Sequence, residues 1–145
     1  MEESLVRYIH FVGIILLSSM LITENILFSK QLKDGLLKKL AIIDKLYVLG
    51  AILTFVAGML LWLSVGKPKE FYTTNILFHV KLTVFLLVAL LSLVPTIFLF
   101  KNRNNQTPTI TVPHHIIFIR RIELVFLFVM PLLAVLVARG IGGVS

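Results

Sequence analysis

Cysteine is absent from this 145-residue sequence. That excludes disulfides, cysteine-ligated iron–sulfur clusters and thioether-attached haem, so any cofactor has to be held by His, Lys, Met or carboxylate. Charge is nearly as scarce. Charged side chains make up 14% of the chain, against about 25% in soluble domains. There is no Gly-rich fingerprint following a strand, so a tightly bound dinucleotide has no recognisable cradle. Met20, Met59 and Met130 are scattered and give no soft-metal path for copper. No nucleophile shares a helix face with an attendant base.

What is present is apolar. Hydrophobic residues account for 58% of the sequence and the mean hydropathy is +0.99. Four spans of about 20 residues each leave no room for a separate soluble module. One transmembrane domain over residues 1–145 is therefore expected, as an all-α, antiparallel up-down-up-down bundle. The formal net charge of +7 would suit nucleic acid, but Lys and Arg stand in short loops and at helix ends and not on a polar amphipathic face. The basicity is read as a topology signal, with the lipid bilayer and not nucleic acid as partner. Met1-Glu2-Glu3-Ser4 is acidic where a secretory signal is basic, and no small-residue cleavage site follows. The first span is expected to remain in the mature protein.

The apolar runs predict spans over about residues 5–28, 43–65, 76–100 and 116–138. Each is long enough to cross a hydrocarbon core of about 30 Å at 1.5 Å per residue. The connections are a basic stretch around Lys30–Lys33, a Gly66-Lys67-Pro68-Lys69 turn and the polar run Lys101–Pro108. Lys30, Lys33, Lys38, Lys39, Lys45, Lys101, Arg103, Arg120 and Arg121 gather on one side, against Arg7, Lys67, Lys69, Lys81 and Arg139 on the other. The positive-inside rule puts the first set in the cytoplasm and both termini outside, across a bacterial inner membrane. Trp62, Phe71 and Tyr72 fall at the outer boundary, where aromatic residues anchor.

Charge within a span costs about 2.5–3.5 kcal/mol on insertion scales, so each ionisable residue there needs a partner, a water-filled cavity or a snorkelling route. Threading the spans up and down sorts these residues into two layers. The outer layer holds His10, His79, Lys81 and Arg139, with Arg7 close by; the inner layer holds Glu24, Asp44, Arg120, Arg121 and Glu123. His10, Gly13, Leu17 and Glu24 share one seam of the first span. Asp44, Tyr47, Ala51, Thr54 and Gly58 form a seam of small and polar residues on the second, suited to close packing. On the third span His79 lies about 200° from Lys81, so both cannot point at one spot.

The inner layer reads as an ion-pair layer that fixes helix register, Arg120 and Glu123 being spaced to pair on one face. The alternative is a relay for a proton or substrate. The outer layer offers more chemistry: His10 and His79 at matched depth could clamp a haem iron or another metal. Against this, each imidazole could simply hydrogen-bond a backbone carbonyl. His114 and His115 are expected as interfacial anchors.

Leu46–Thr54 with Gly58, the string Leu77-Phe78-His79-Val80-Lys81-Leu82, Arg120-Arg121-Ile122-Glu123, and Pro131–Ala134 with Ala138-Arg139-Gly140 resemble a family of small bacterial membrane proteins of unknown function. The likeness covers nearly the whole chain and carries no activity. More distantly the pattern is similar to HemJ-type protoporphyrinogen oxidases and the membrane part of CopD-type copper-resistance proteins. The HemJ motifs would fall on His10, on Tyr47 with Ala51 or Gly50, on His79, Lys81 and Leu82, and on Arg120 with Glu123. Glu24-Asn25 stand where such first helices end in a basic residue. This resemblance implies a bundle holding haem b, with His10 and either Lys81 or His79 near the iron, Lys81 as the catalytic candidate and Arg7 or Arg139 pairing with propionates.

Three functions are therefore expected in competition. The first is a haem-b redox protein, HemJ-like or quinone-linked. The second is a non-catalytic subunit or scaffold, as a homodimer or within a larger membrane complex. The third is a small transporter moving a proton or metal ion past Glu24, Asp44 and Glu123.

Overall fold

In the computed structural model, the described residues are 2–65, 68–103 and 109–142. The expected turn at Gly66 and Lys67 and the middle of the polar run, residues 104–108, lie outside them. Among the described residues, four helices are long and apolar enough to cross a membrane. They are α1 (Glu2–Leu27), α2 (Asp34–Leu60), α4 (Ile76–Asn102) and α5 (His114–Ala138). A π-helical turn, Leu61–Val65, extends α2, and a short helix α3, Lys69–Thr73, precedes α4.

The long helices stand in the ring α1–α2–α4–α5, with α1 across the bundle from α4. Successive members run antiparallel: a Cβ on Gly58 would approach His10 at one end of the α1–α2 pair, while Glu24 and Asp44 share a partner at the other. A close backbone approach lies between these two points. A Cβ on Gly13 would stand 2.7 Å from Thr54 Oγ1, and one on Gly50 would stand 2.6 Å from the Leu17 nitrogen. Only glycine lets the two backbones meet this way, as small-residue seams do where lipid removes the hydrophobic drive for association.

The second span differs from expectation. It starts at Asp34, well before the apolar run at Ile43, because Leu37 and Leu40 are both fully buried and hold the first turns inward while Lys38 and Lys39 stay outside. The connections on this side also form a sheet. Strand β1 (Gln31–Lys33) pairs antiparallel with β2 (Thr109–Thr111), in the register Gln31 with Thr111 and Leu32 with Ile110. Each strand turns its middle residue inward and its flanking residues out, the period-two alternation of a half-buried strand. Val112 N–H donates to the Lys30 carbonyl at 2.7 Å and continues the ladder. Beneath this ribbon Phe28, Leu32, Leu37, Leu40, Leu99, Ile110, Val112 and Ile116 form the apolar core.

The opposite end, where α1 begins and α5 finishes, closes differently. Asn75, fully buried, caps α4 by accepting from Phe78 N–H at 3.2 Å and donates to the Ile141 carbonyl at 3.2 Å. Gly140 and Gly142 take φ of 77° and 86° to bring the tail back over α4, a backbone region that side chains disfavour.

Candidate functional site

One helical turn inward from the ribbon core, four charged side chains from three helices converge. Phe28 is followed inward by Glu24 on α1, Leu40 by Asp44 on α2, and Ile116 by Arg120 on α5. Arg120, Glu24 and Glu123 are completely buried and Asp44 is nearly so. The Arg120 guanidinium is the hub. Its Nη1 donates to Glu123 Oε2 at 2.5 Å, across the i,i+3 spacing of one helix face. Its Nη2 donates to Asp44 Oδ1, and the same nitrogen lies 3.4 Å from Glu24 Oε2. The guanidinium also sits over the Tyr47 ring at 4.7 Å, a cation–π contact that strengthens on desolvation. Helix α4 completes the site through Ser92, whose hydroxyl donates to Glu123 Oε1 at 2.6 Å and meets Tyr47 Oη at 2.8 Å.

This arrangement is unbalanced. Three carboxylates face one guanidinium, a formal charge of −2 with every acid ionised. Neither oxygen of Glu24 has a hydrogen-bond partner among the described residues, nor does Arg120 Nε. A buried ionised group without partners is among the most costly features a fold can carry.

Apolar side chains lie on both sides of the cluster. Toward the ribbon lies the core described above. Toward the chain termini lies a cavity of about 50 Å³, lined by Leu17, Ala51, Phe126 and Met130 above Tyr47 and Glu123. A site needs about 10–15 Å³ of free volume to hold a water molecule, so the cavity has room for water.

Arg121 does not join this cluster. It is exposed and reaches back to Asn25, donating to its carbonyl and to its side-chain oxygen at 3.2 Å. Arg120 alone therefore neutralises the acids, since the two arginines are neighbours in a helix and point about 100° apart.

The residues of the other layer are more dispersed. His10 is half-buried, with Nδ1 3.0 Å from the Thr54 carbonyl, and its electrostatic neighbours are Lys81 and Arg7. Lys81 is half-buried too. His79 is exposed, its Nε2 2.7 Å from the Thr73 carbonyl, with Trp62 edge-on to its ring at 6.4 Å. Of the two α4 residues that cannot share a direction, Lys81 is the one whose charge acts on His10. Arg7 pairs with Glu3 at 2.6 Å on the surface, and Arg139 is exposed at the end of α5. Trp62, Phe71, Tyr72 and Phe78 form a connected aromatic set here, with Trp62 Nε1 donating to Thr73 Oγ1 at 3.1 Å. Burial raises the Tyr72 phenol above its ordinary range. Among the described residues, no group of three or more His, Asp or Glu side chains is arranged to hold a metal ion.

Sequence reasoning missed Ser92 as a hydroxyl donor to Glu123, Asn25 as the anchor of Arg121, and Asn75. Only Asn75 carried a readable signal, standing as it does directly before the apolar run of α4, where Asn is a favoured N-cap.

The chain belongs to the DUF2214 family, described as predicted membrane proteins, whose model matches residues 2–142. That membership establishes a membrane protein and brings no activity with it. No curated protein and no solved structure matches the chain.

Proposed function

We propose that this DUF2214 chain is a proton carrier of the membrane, with the Arg120 cluster as the proton-binding centre and the ribbon end in the cytoplasm. One observation carries the reading: three buried carboxylates share one guanidinium. An ion-pair layer serving only to fix helix register would be balanced, whereas an excess of acids in hydrocarbon must be relieved by protons. The charge on Lys30, Lys33, Lys38 and Lys39 supports the assignment of the ribbon end to the cytoplasm.

The division of labour follows from the contacts. Arg120 holds Asp44 and Glu123 in place, so the site keeps its geometry as its proton count changes. Ser92 and Tyr47 extend a hydroxyl chain from Glu123 along the bundle. On the ribbon side the apolar core separates the site from water, while the cavity on the other side reaches Glu123 and Tyr47.

The test is proton movement in proteoliposomes carrying an internal pH-sensitive dye, driven by a potassium diffusion potential. Wild-type protein is expected to move protons, and the variant with Glu24→Gln, Asp44→Asn and Glu123→Gln to match protein-free vesicles. Equal rates in the two proteins would defeat the proposal.

A second reading, a haem-b redox protein, is favoured by a separate observation. With the Thr54 carbonyl taking the Nδ1 proton of His10, the lone pair lies on Nε2, the tautomer and second-shell arrangement of metal-ligating histidines. His10 would hold the iron, with Lys81, Arg7 and Arg139 available to propionates, and the haem would supply one-electron chemistry. Purified protein supplemented with haem is expected to show a Soret band that His10→Ala abolishes. No band in the supplemented wild type would remove this reading.

A further inference from the structure

We infer that Glu24 is the seat of the exchangeable proton: its carboxyl is a neutral acid whose O–H points at the Asp44 carboxylate. The inference rests on the proton-carrier reading and names the group that does the carrying.

The three acids are not equivalent. Glu123 accepts from Arg120 at 2.5 Å through one oxygen and from Ser92 at 2.6 Å through the other. Asp44 takes the second arm of the guanidinium. Glu24 receives no such donor: its Oε2 is 3.4 Å from Arg120 Nη2, and neither oxygen is hydrogen-bonded among the described residues. It is also completely buried, so water does not supply what the protein withholds. Arg121, adjacent to Arg120 on α5, is spent on Asn25 and stays exposed.

Glu24 and Asp44 approach the same atom, Arg120 Nη2, from two helices, so their carboxylates are neighbours. Two bare carboxylates in that position repel and form no bond, whereas one proton between them turns the contact into an O–H···O⁻ hydrogen bond, among the shorter and stronger kinds. Placing it on Glu24 satisfies the side chain that lacks a donor, leaves both arms of Arg120 undisturbed and lowers the formal charge of the site from −2 to −1.

The remaining groups facing this proton are Tyr47 on α2, Ser92 on α4, and Arg120 and Glu123 on α5. None is a better seat. Glu123 already has two donors, Tyr47 is held by Ser92, and Arg120 is the cation that the acids retain. On release, the Glu24 O–H bond breaks and the proton passes by way of Asp44 to water at the ribbon end, returning the site to −2. Uptake reverses the same bonds, and no co-reactant is needed. The groups that stand in the way are Phe28 and Leu40, each one turn beyond an acid of the pair, under Leu32 of the ribbon.

Infrared spectroscopy of the protein in lipid at neutral pH tests this. Wild type is expected to show the carbonyl stretch of a protonated carboxylic acid, downshifted in D₂O. Carbon-13 labelling of glutamate side chains should move the band and labelling of aspartate should not, an arm that needs no variant. Glu24→Gln should remove the band and Glu123→Gln should retain it. A band that follows the aspartate label, survives Glu24→Gln or vanishes in a folded Glu123→Gln protein would overturn the inference. Wild type with no band would overturn both this inference and the carrier reading. A band that behaves as expected in a protein moving no protons would support the Glu24 assignment and remove the carrier reading.

Discussion

The two ends of the bundle solve the same problem in opposite ways. Toward the ribbon end, four ionisable side chains point inward, lose contact with water and depend on one another, with Arg120 between Asp44, Glu123 and Glu24. At the terminal end they reach outward: Arg7 and Glu3 pair on the surface with side chains 44% and 48% exposed, His79 is exposed, and Lys81 is only half-buried. The difference teaches where titration is consequential. Exposed pairs contribute little and their charges are met by water, while buried ones make every proton count. The terminal end is held by aromatic contacts and the Asn75 cap, the ribbon end by an apolar core with a buried charge cluster one turn inward, and a proton site belongs with the second.

This contrast can be broken by substitution, and Arg120→Leu is the sharpest probe. It strands three buried acids and is expected to cost about 3–5 kcal/mol, the range for breaking a buried ion pair, read as loss of helical signal on thermal or detergent titration. Gly50→Val, between the two ends, drives a side chain into the Leu17 backbone and should cost about 1–3 kcal/mol, the usual range for overpacking. Trp62→Phe removes the Thr73 hydrogen bond at the terminal end and should cost about 0.5–1.5 kcal/mol. Arg7→Gln should cost no more than about 1 kcal/mol, as exposed pairs do. If a terminal-end variant matched Arg120→Leu, the contrast would fail.

Much of this was legible before any coordinates. Apolar runs of more than 20 residues admit few folds, and a seam suited to close packing was readable from the three-and-four spacing of Tyr47, Ala51, Thr54 and Gly58, although Gly50, which meets the Leu17 backbone, lay outside it. The pairing of Arg120 with Glu123 was readable because it is local, lying within one helical turn. What required three dimensions was azimuth. Arg120 and Arg121 are equal in composition and depth, and only the packing of α5 against α1 and α2 selects the first for the interior. The same holds for His79 and Lys81, where helical spacing states that the two diverge but not which one acts on His10. The ribbon escaped notice because three-residue strands leave almost no periodicity to read, and the early start of α2 because its buried leucines alternate with charges.

A proton that binds at the Arg120 cluster and leaves by way of Asp44 has to pass the ribbon end. Gln31 and Thr111 are exposed partners in the ribbon and flank the hydrogen-bonded pair of Lys30 and Val112, which makes them a closely spaced non-hydrogen-bonded pair suited to a disulfide. The chain has no cysteine of its own, so Gln31→Cys with Thr111→Cys introduces the sole thiols. Proton movement into proteoliposomes holding this variant should stop when the pair is oxidised and return to the wild-type rate on reduction. An oxidised, cross-linked protein that moves protons as fast as the reduced one would contradict the account.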